Sequence, residues 1–202
     1  MPNNLKNFWE SCNDNFAHLD IERLSTEKSI NDYFNNIIDS LSIKDKTVID
    51  YGVGGGVFAK KLLESNIKQY VGYDIAERQI KIAKRTLKEF ENKEFHLVDN
   101  LPILCKADVF ISLAVIQHFP DLEYYNAFMG LLNKSKIPVL YLQIRQANKL
   151  TFNNAEYTSN KNVRFSCYTN ETDLKNKLSN YEVTYKSDIA NNKYQHIIFK
   201  GV

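Results

Sequence analysis

Cysteine is scarce. Cys12, Cys105 and Cys167 are three, odd in number and unclustered, which suggests neither a disulfide framework nor a zinc site. Long apolar runs are missing too, so no segment reaches the ~20 residues that span a bilayer. The opening MPNNLKNFWESCN lacks the apolar stretch of a secretory leader, and the cytoplasm is the expected compartment. Neither sign of charge is in surplus: 26 Lys and Arg against 24 Asp and Glu leave +2, which supports neither nucleic acid nor a membrane as partner. Acids and histidines do not converge at metal-ligand spacing, and no metal is expected. Internal repeats and low-complexity tracts are absent.

What is present is an ordinary core-forming composition. At 202 residues, 44% hydrophobic and 25% charged, the chain is expected to form a single soluble domain over 1–202. Twelve Tyr and twelve Phe are generous for that length and read first as packing. Residues 1–45 hold two amphipathic runs. The first has Leu5, Phe8, Trp9, Cys12 and Phe16 on one face; the second has Ile30, Phe34, Ile37 and Leu41, with Ser25, Thr26 or Ser29 as cap. These helices are expected to pack on a sheet or to form a lid.

From residue 46 on, strands and helices alternate. Strands are expected at 47–51, 70–73, the EFHLV run before Asp99, 107–115 and the run closing at Arg145. Helices are expected at 57–65, on the face Ala76, Ile80, Ala83, Leu87 and Phe90, and after the cap Asp121. The alternation implies an α/β fold, doubly wound, with a mostly parallel sheet. Residues 146–169 show no period and are expected to be a long substrate-side loop. A short helix capped by Asn170 or Thr169 follows, then a hairpin, YEVTYKSDI and YQHIIFK, that brings one antiparallel strand.

The chemistry concentrates in TVIDYGVGGGVFAKKL, residues 47–62. A strand, a glycine loop and a helix in that order bring backbone N–H groups close to a ligand. Asp74, 24 residues past Asp50, is the acid that accepts ribose hydroxyls in nucleotide-binding α/β folds. A dinucleotide loop starting at Gly52 needs glycine at 57, where Val57 stands, and a phosphate loop needs Lys-Ser/Thr after the glycines. Neither pattern is met. The pattern is acid-x-Gly-x-Gly-x-Gly: Asp50, Gly52, Gly54, Gly56.

That pattern resembles motif I of the class I S-adenosylmethionine-dependent methyltransferases, whose Rossmann-like fold has a seven-stranded sheet with one reversed strand. The resemblance covers about residues 47–145, and the terminal hairpin is similar to that family's last strands. It implies that Gly52, Val53 and Gly54 lie against the methionine part of S-adenosylmethionine. It further implies that Asp50 bears on the amino group directly or through water, and that Asp74 takes the ribose. Asp99 and Asn100 then meet the adenine amino group, Ile75 its face, and Leu113 and Ala114 pass beneath the cofactor.

SLAVIQHFPD resembles the motif IV region of small-molecule O-methyltransferases in that superfamily. His118 is the candidate base, because an imidazole near pKa ~6.5 can take a hydroxyl proton near neutrality; the alternative is that it shapes the cofactor pocket. Gln117, Gln143 and Arg145 are expected at the substrate, with Arg145 and, more weakly, Arg164 as anion binders. His18, His96 and His196 read as structural. The Asn/Asp-Pro-Pro-aromatic sequence of nitrogen methylators is missing, which favours a hydroxyl acceptor. The chain as a whole is similar to bacterial enzymes that decorate surface-polysaccharide sugars, which implies a nucleotide-activated sugar as partner. An RNA or protein methyltransferase, or a non-catalytic S-adenosylmethionine-binding protein, are the alternatives.

Overall fold

Strand β1 (Thr47–Tyr51) forms where four successive residues, Val48 to Tyr51, can all be buried, as a strand covered on both faces requires. It is the first strand of a computed structural model that describes residues 6–7, 9–10, 27–154, 165–189 and 194–202. The chain divides into two compact units, Lys6–Ile111 and the stretch from Ser112 onward. The main sheet has seven strands, side by side in the order 93–97, 69–74, 47–51, 109–112, 139–145, 194–201 and 181–189.

In the first unit, Lys6, Asn7, Trp9 and Glu10 are helical. Helix α1 (Glu27–Leu41) buries Phe34, Ile37 and Leu41, the expected face. Ser29 lies inside that helix and so does not cap it; Ser25 and Thr26 fall outside the described residues. After β1 come α2 (Val57–Glu64), β2 (Gln69–Asp74), α3 (Glu77–Thr86), β3 (Lys93–Leu97) and β4 (Val109–Ser112). Strands β3, β2, β1 and β4 pair in parallel, with Asp50 beside Gly72 on one side and Ile111 on the other. Phe34 and Phe58 meet at 4.9 Å between ring centroids and join α1 to α2. Helix α3 buries Ala76, Ile80, Ala83 and Leu87, whereas Phe90 falls beyond its end.

Strand β4 is shorter than the apolar run that predicts it, because Ala114 turns into the left-handed region (φ 59) and ends the extended backbone.

The second unit starts with a 3₁₀ turn (Ile116–His118) and α4 (Leu122–Ser135), whose first turn is capped by Asp121 accepting from the Tyr124 amide at 2.8 Å. Strand β5 (Val139–Arg145) pairs antiparallel with β9 (Tyr194–Gly201), which pairs antiparallel with β8 (Tyr181–Ile189). So β9 is the one reversed strand, as the hairpin implies.

Residues 146–169 are not one long loop. They contain a two-stranded antiparallel ribbon, β6 (Thr151–Asn154) with β7 (Phe165–Tyr168). The ribbon has a hydrogen-bonded root: the Thr169 amide donates to the Arg145 carbonyl at 2.9 Å and the Ala147 amide to the Thr169 carbonyl at 3.0 Å. Helix α5 (Glu171–Lys177) is capped by Asn170, which accepts from the Asp173 amide at 2.8 Å. Tyr125 of α4 donates to Asp173 at 2.6 Å and lies 3.1 Å from the Thr169 hydroxyl, which fastens α4, the ribbon root and α5 to one another.

Candidate functional site

The predicted residues fall into the two units, and each group stands within its own. In the first unit the glycine loop leaves β1 through three left-handed positions, Gly52 (φ 90), Gly54 (φ 53) and Gly56 (φ 84). An L-residue at such angles costs about 1–2 kcal/mol, which is why glycines recur at every second place. The amides of Gly52 and Val53 both donate to the Tyr73 carbonyl, at 2.7 and 3.1 Å, and lock the loop to the end of β2. Gly56 packs on α3, since a Cβ there would come within 3.2 Å of Ala83 and Leu87; a Cβ at Gly54 would meet nothing within 4 Å. One glycine serves close packing and the other borders open space.

Asp74, 8% exposed, accepts from the Gly54 amide through Oδ2 and from the Ala76 amide through Oδ1, each at 2.9 Å. Asp50, 3% exposed, accepts from the Tyr70 hydroxyl at 2.8 Å. Burial is the main influence on both carboxyls. It pushes Asp50 up to about 7, against the Tyr70 hydrogen bond, and Asp74 up to about 6, against its backbone amides. Among the described residues neither carboxylate makes an ion pair. Two buried acids without a cation are poorly matched to a neutral or anionic ligand. They fit a nucleoside that carries positive charge and a ribose diol, as S-adenosylmethionine does.

Ile75 is half-buried directly after Asp74. Asp99 and Asn100 are exposed; Asp99, with its side chain 85% exposed, pairs with Lys6 at 2.7 Å, and that hydrogen bond holds its carboxyl below the usual range. Glu10 accepts from the Glu77 and Arg78 amides at 2.6 and 3.1 Å, where its charge meets the positive end of α3. Lys6, Glu10 and Tyr70 are additions that sequence reasoning did not find. Tyr70 had a readable signal, being four residues before Asp74 on the same strand face; Lys6 and Glu10 had none.

The second unit holds the remaining predicted residues. Leu113 and Ala114 are buried in the turn after β4. Gln117 is buried and His118 half-buried in the 3₁₀ turn, which packs against β5 and β7. Gln117 Nε2 lies 3.2 Å from His118 Nε2, and an amide donor there meets the ring nitrogen's lone pair. Gln117 Oε1 and the Ser112 hydroxyl are buried without a hydrogen-bond partner among the described residues. On β5, Gln143 and Arg145 share a face, beside His196 and Tyr194 of β9. The Arg145 guanidinium lies 5.2 Å from the Tyr168 ring centroid and 5.6 Å from that of Tyr194. So Arg145, Tyr168 and Tyr194 come together, and sequence reasoning named only the first. Arg164 lies outside the described residues.

Two of the three histidines read as structural are described. His196 bonds to the Tyr141 hydroxyl and burial pushes it down to about 3, so it stays neutral; His96 stacks on Tyr73 at 4.9 Å. His18 lies outside the described residues. No three His, Cys, Asp or Glu among the described residues could hold a metal ion.

The family described as Methyltransferase domain matches residues 42–200. A ribosomal protein L11 methyltransferase of Pasteurella multocida is 33% identical over 78 residues, 37% of this chain and 27% of that protein. A ubiquinone biosynthesis O-methyltransferase of Nitrosospira multiformis is 31% identical over 81 residues, 38% of this chain and 34% of that protein. The matched stretch thus spans about a quarter to a third of the curated relatives' length. Among solved structures, the N-methyltransferase NodS of Bradyrhizobium japonicum with S-adenosylhomocysteine superposes with TM-score 0.71 at 14% identity, covering 98% of this chain and 97% of that one. Magnesium protoporphyrin IX methyltransferase of Synechocystis, also with S-adenosylhomocysteine, gives 0.68 at 16% identity, covering 99% and 94%. At such identities these two likenesses concern the fold.

Proposed function

This chain belongs to the methyltransferase-domain family, and from that premise we propose that it moves the methyl group of S-adenosylmethionine to a hydroxyl of a small molecule. The observation that carries the donor is the pair of buried carboxylates, Asp50 and Asp74, beside a loop that leaves space at Gly54. Asp74 takes the ribose hydroxyls and Asp50 the amino group. Ile75, Asp99 and Asn100 serve the adenine, and Leu113 and Ala114 line the cofactor's path. When bound, the donor supplies a methyl group activated by a positively charged sulfur.

His118 Nε2 receives the acceptor's hydroxyl proton. The Gln117 amide nitrogen stands 3.2 Å from that ring nitrogen and faces its lone pair, so the acceptor hydroxyl takes its place there as Gln117 turns aside. Base assistance of this kind contributes about 10²–10⁴-fold, whereas orienting two reactants contributes roughly 7–11 kcal/mol. Holding the acceptor therefore matters more than taking its proton, and that task falls to Gln143 and Arg145. A guanidinium held near the faces of two rings is partly oriented before it binds, which suits the two parallel hydrogen bonds of a phosphate or carboxylate. A nucleotide-activated sugar of surface polysaccharide supplies both the anion and the hydroxyl.

The test is transfer of labelled methyl to a panel of sugar nucleotides and small alcohols, with His118→Ala beside the unchanged protein. We expect label on a sugar nucleotide, and a fall in kcat of about 10²–10⁴-fold in the variant with unchanged cofactor affinity. Activity surviving within about threefold would remove the base role. A second reading, a protein acceptor, draws on the stretch shared with the L11 methyltransferases; label on protein and none on the panel would favour it.

A further inference from the structure

Gly72 has no left-handed backbone to explain it. Its missing side chain leaves a slot instead. A Cβ at this position would come within 2.9 Å of Tyr70 Cε1, 3.0 Å of the Tyr70 hydroxyl oxygen and 3.1 Å of Phe95 Cδ1. In the parallel register Val48 stands beside Tyr70 and Asp50 beside Gly72, so Tyr70 and Asp50 are diagonal neighbours on one face. The Tyr70 ring lies along its own strand, over Gly72 and against Phe95 at 5.9 Å between centroids, and its hydroxyl thereby reaches Asp50 Oδ2 at 2.8 Å. Ring, slot and carboxylate form a built arrangement at the buried end of the glycine loop.

We propose that Tyr70 is the positioning residue for the donor's amino group: seated over Gly72, its hydroxyl fixes Asp50 Oδ2 and turns Oδ1 toward the ammonium. The proposal rests on the S-adenosylmethionine reading given above. It explains how a carboxyl that burial drives toward neutrality stays usable as an anion, since the Tyr70 hydrogen bond is the influence that opposes burial. Tyr70 itself remains a donor, because burial and the neighbouring Asp50 hold its hydroxyl well above the ordinary tyrosine range. Among the described residues, the titratable groups that act on Asp50 are Tyr70 and Asp74, both of β2; β4 offers apolar Ile111 as its register neighbour.

The experiment compares two ligands by calorimetry. S-adenosylhomocysteine carries the amino group, whereas 5′-methylthioadenosine keeps adenine and ribose but lacks the amino acid. Tyr70→Phe is expected to weaken S-adenosylhomocysteine about tenfold near neutral pH, the loss of one hydrogen bond to a charged acceptor. It should leave 5′-methylthioadenosine within about twofold and move the acid limb of S-adenosylhomocysteine affinity up by about one pH unit. In an Asp50→Asn background the same substitution should change nothing. Equal weakening of both ligands, or an unmoved acid limb, would overturn the proposal and leave Tyr70 a packing residue. Should Tyr70→Phe not fold, Gly72→Ala displaces the ring instead, and the same split between ligands is required of it. Failure of the unaltered, folded protein to bind either ligand would refute the donor reading itself, an outcome distinct from any effect of the variants.

Discussion

Gly54 and Gly56 stand two residues apart with the same sign of φ, yet adding one methyl group should damage different properties. At Gly54 the added Cβ has no neighbour within 4 Å, so Gly54→Ala bears only the conformational cost of φ +53. That cost is about 1–2 kcal/mol, or a fall in Tm of about 2–8 °C for a chain of this size. At Gly56 the backbone cost recurs at φ +84, and the Cβ also presses to 3.2 Å on the Cα and Cβ of Ala83 and on Leu87 Cδ1. Overpacking adds about 1–3 kcal/mol, and Gly56→Ala should lower Tm by roughly 5–15 °C. Binding should rank the other way. The space beside Gly54 is the space a ligand fills, so Gly54→Ala should raise the S-adenosylhomocysteine Kd at least about tenfold, whereas folded Gly56→Ala stays within about threefold. Scanning calorimetry of the ligand-free proteins, with titration calorimetry below both transitions, measures each quantity. Equal losses of affinity, or a larger loss of Tm at Gly54, would refute the division between a packing glycine and a ligand-facing one.

Three further outcomes follow from the same geometry. Asp74→Asn exchanges a charged acceptor for a neutral amide and should weaken S-adenosylhomocysteine by roughly 10–100-fold in titration calorimetry; unchanged affinity would remove the ribose role. Burial raises Asp50 to about 7 and Asp74 to about 6, above the ~3.9 of an unfolded aspartate, so the folded state holds protons that the unfolded state has released. These groups favour the fold most below about pH 4, and their contribution fades as pH rises through 6 and 7. The ligand-free Tm should therefore fall between about pH 5.5 and pH 8, and the rise in Tm caused by S-adenosylhomocysteine should be larger at the upper end; a flat ligand-free profile would contradict this. Arg145→Lys keeps the charge but loses the fork and the stacking, and should raise KM for an anionic acceptor about tenfold with kcat little changed in steady-state assays.

The strand, glycine loop and helix were legible because their signals are local in the chain. A strand, three alternate glycines and a helix declare themselves within residues 47–62, and Asp74 follows at the distance one helix and one strand require. Asp121 and Asn170 were equally plain, since a cap is written within three residues of the amide it serves. The β6–β7 ribbon was not legible. Thr151–Asn154 and Phe165–Tyr168 carry no alternation of their own, and their ladder and the bonds that tie Thr169 to Arg145 and Ala147 join residues distant in sequence. Pairs distant in sequence were hidden for a similar reason: nothing near Glu10 announces the amides of Glu77 and Arg78, and nothing near Lys6 announces Asp99. Tyr70 was hidden differently. Its class, a bulky residue in a buried strand, predicts packing, and only the empty place at Gly72 shows why its hydroxyl reaches an acid.

The reversed strand β9 lies between β5 and β8, although it follows both in sequence. During synthesis, β5 and β8 therefore leave the ribosome as neighbours that have yet to receive the strand between them. The hairpin with β8 can close early, because its partner is adjacent in the chain. The ladder with β5 has the ribbon, α5 and β8 between its two strands, and it must wait for that loop to close. Until then β5 offers an unpaired edge of seven residues, five of them apolar or aromatic, and a nascent chain stalled before residue 194 would be the form most exposed to aggregation and to proteases.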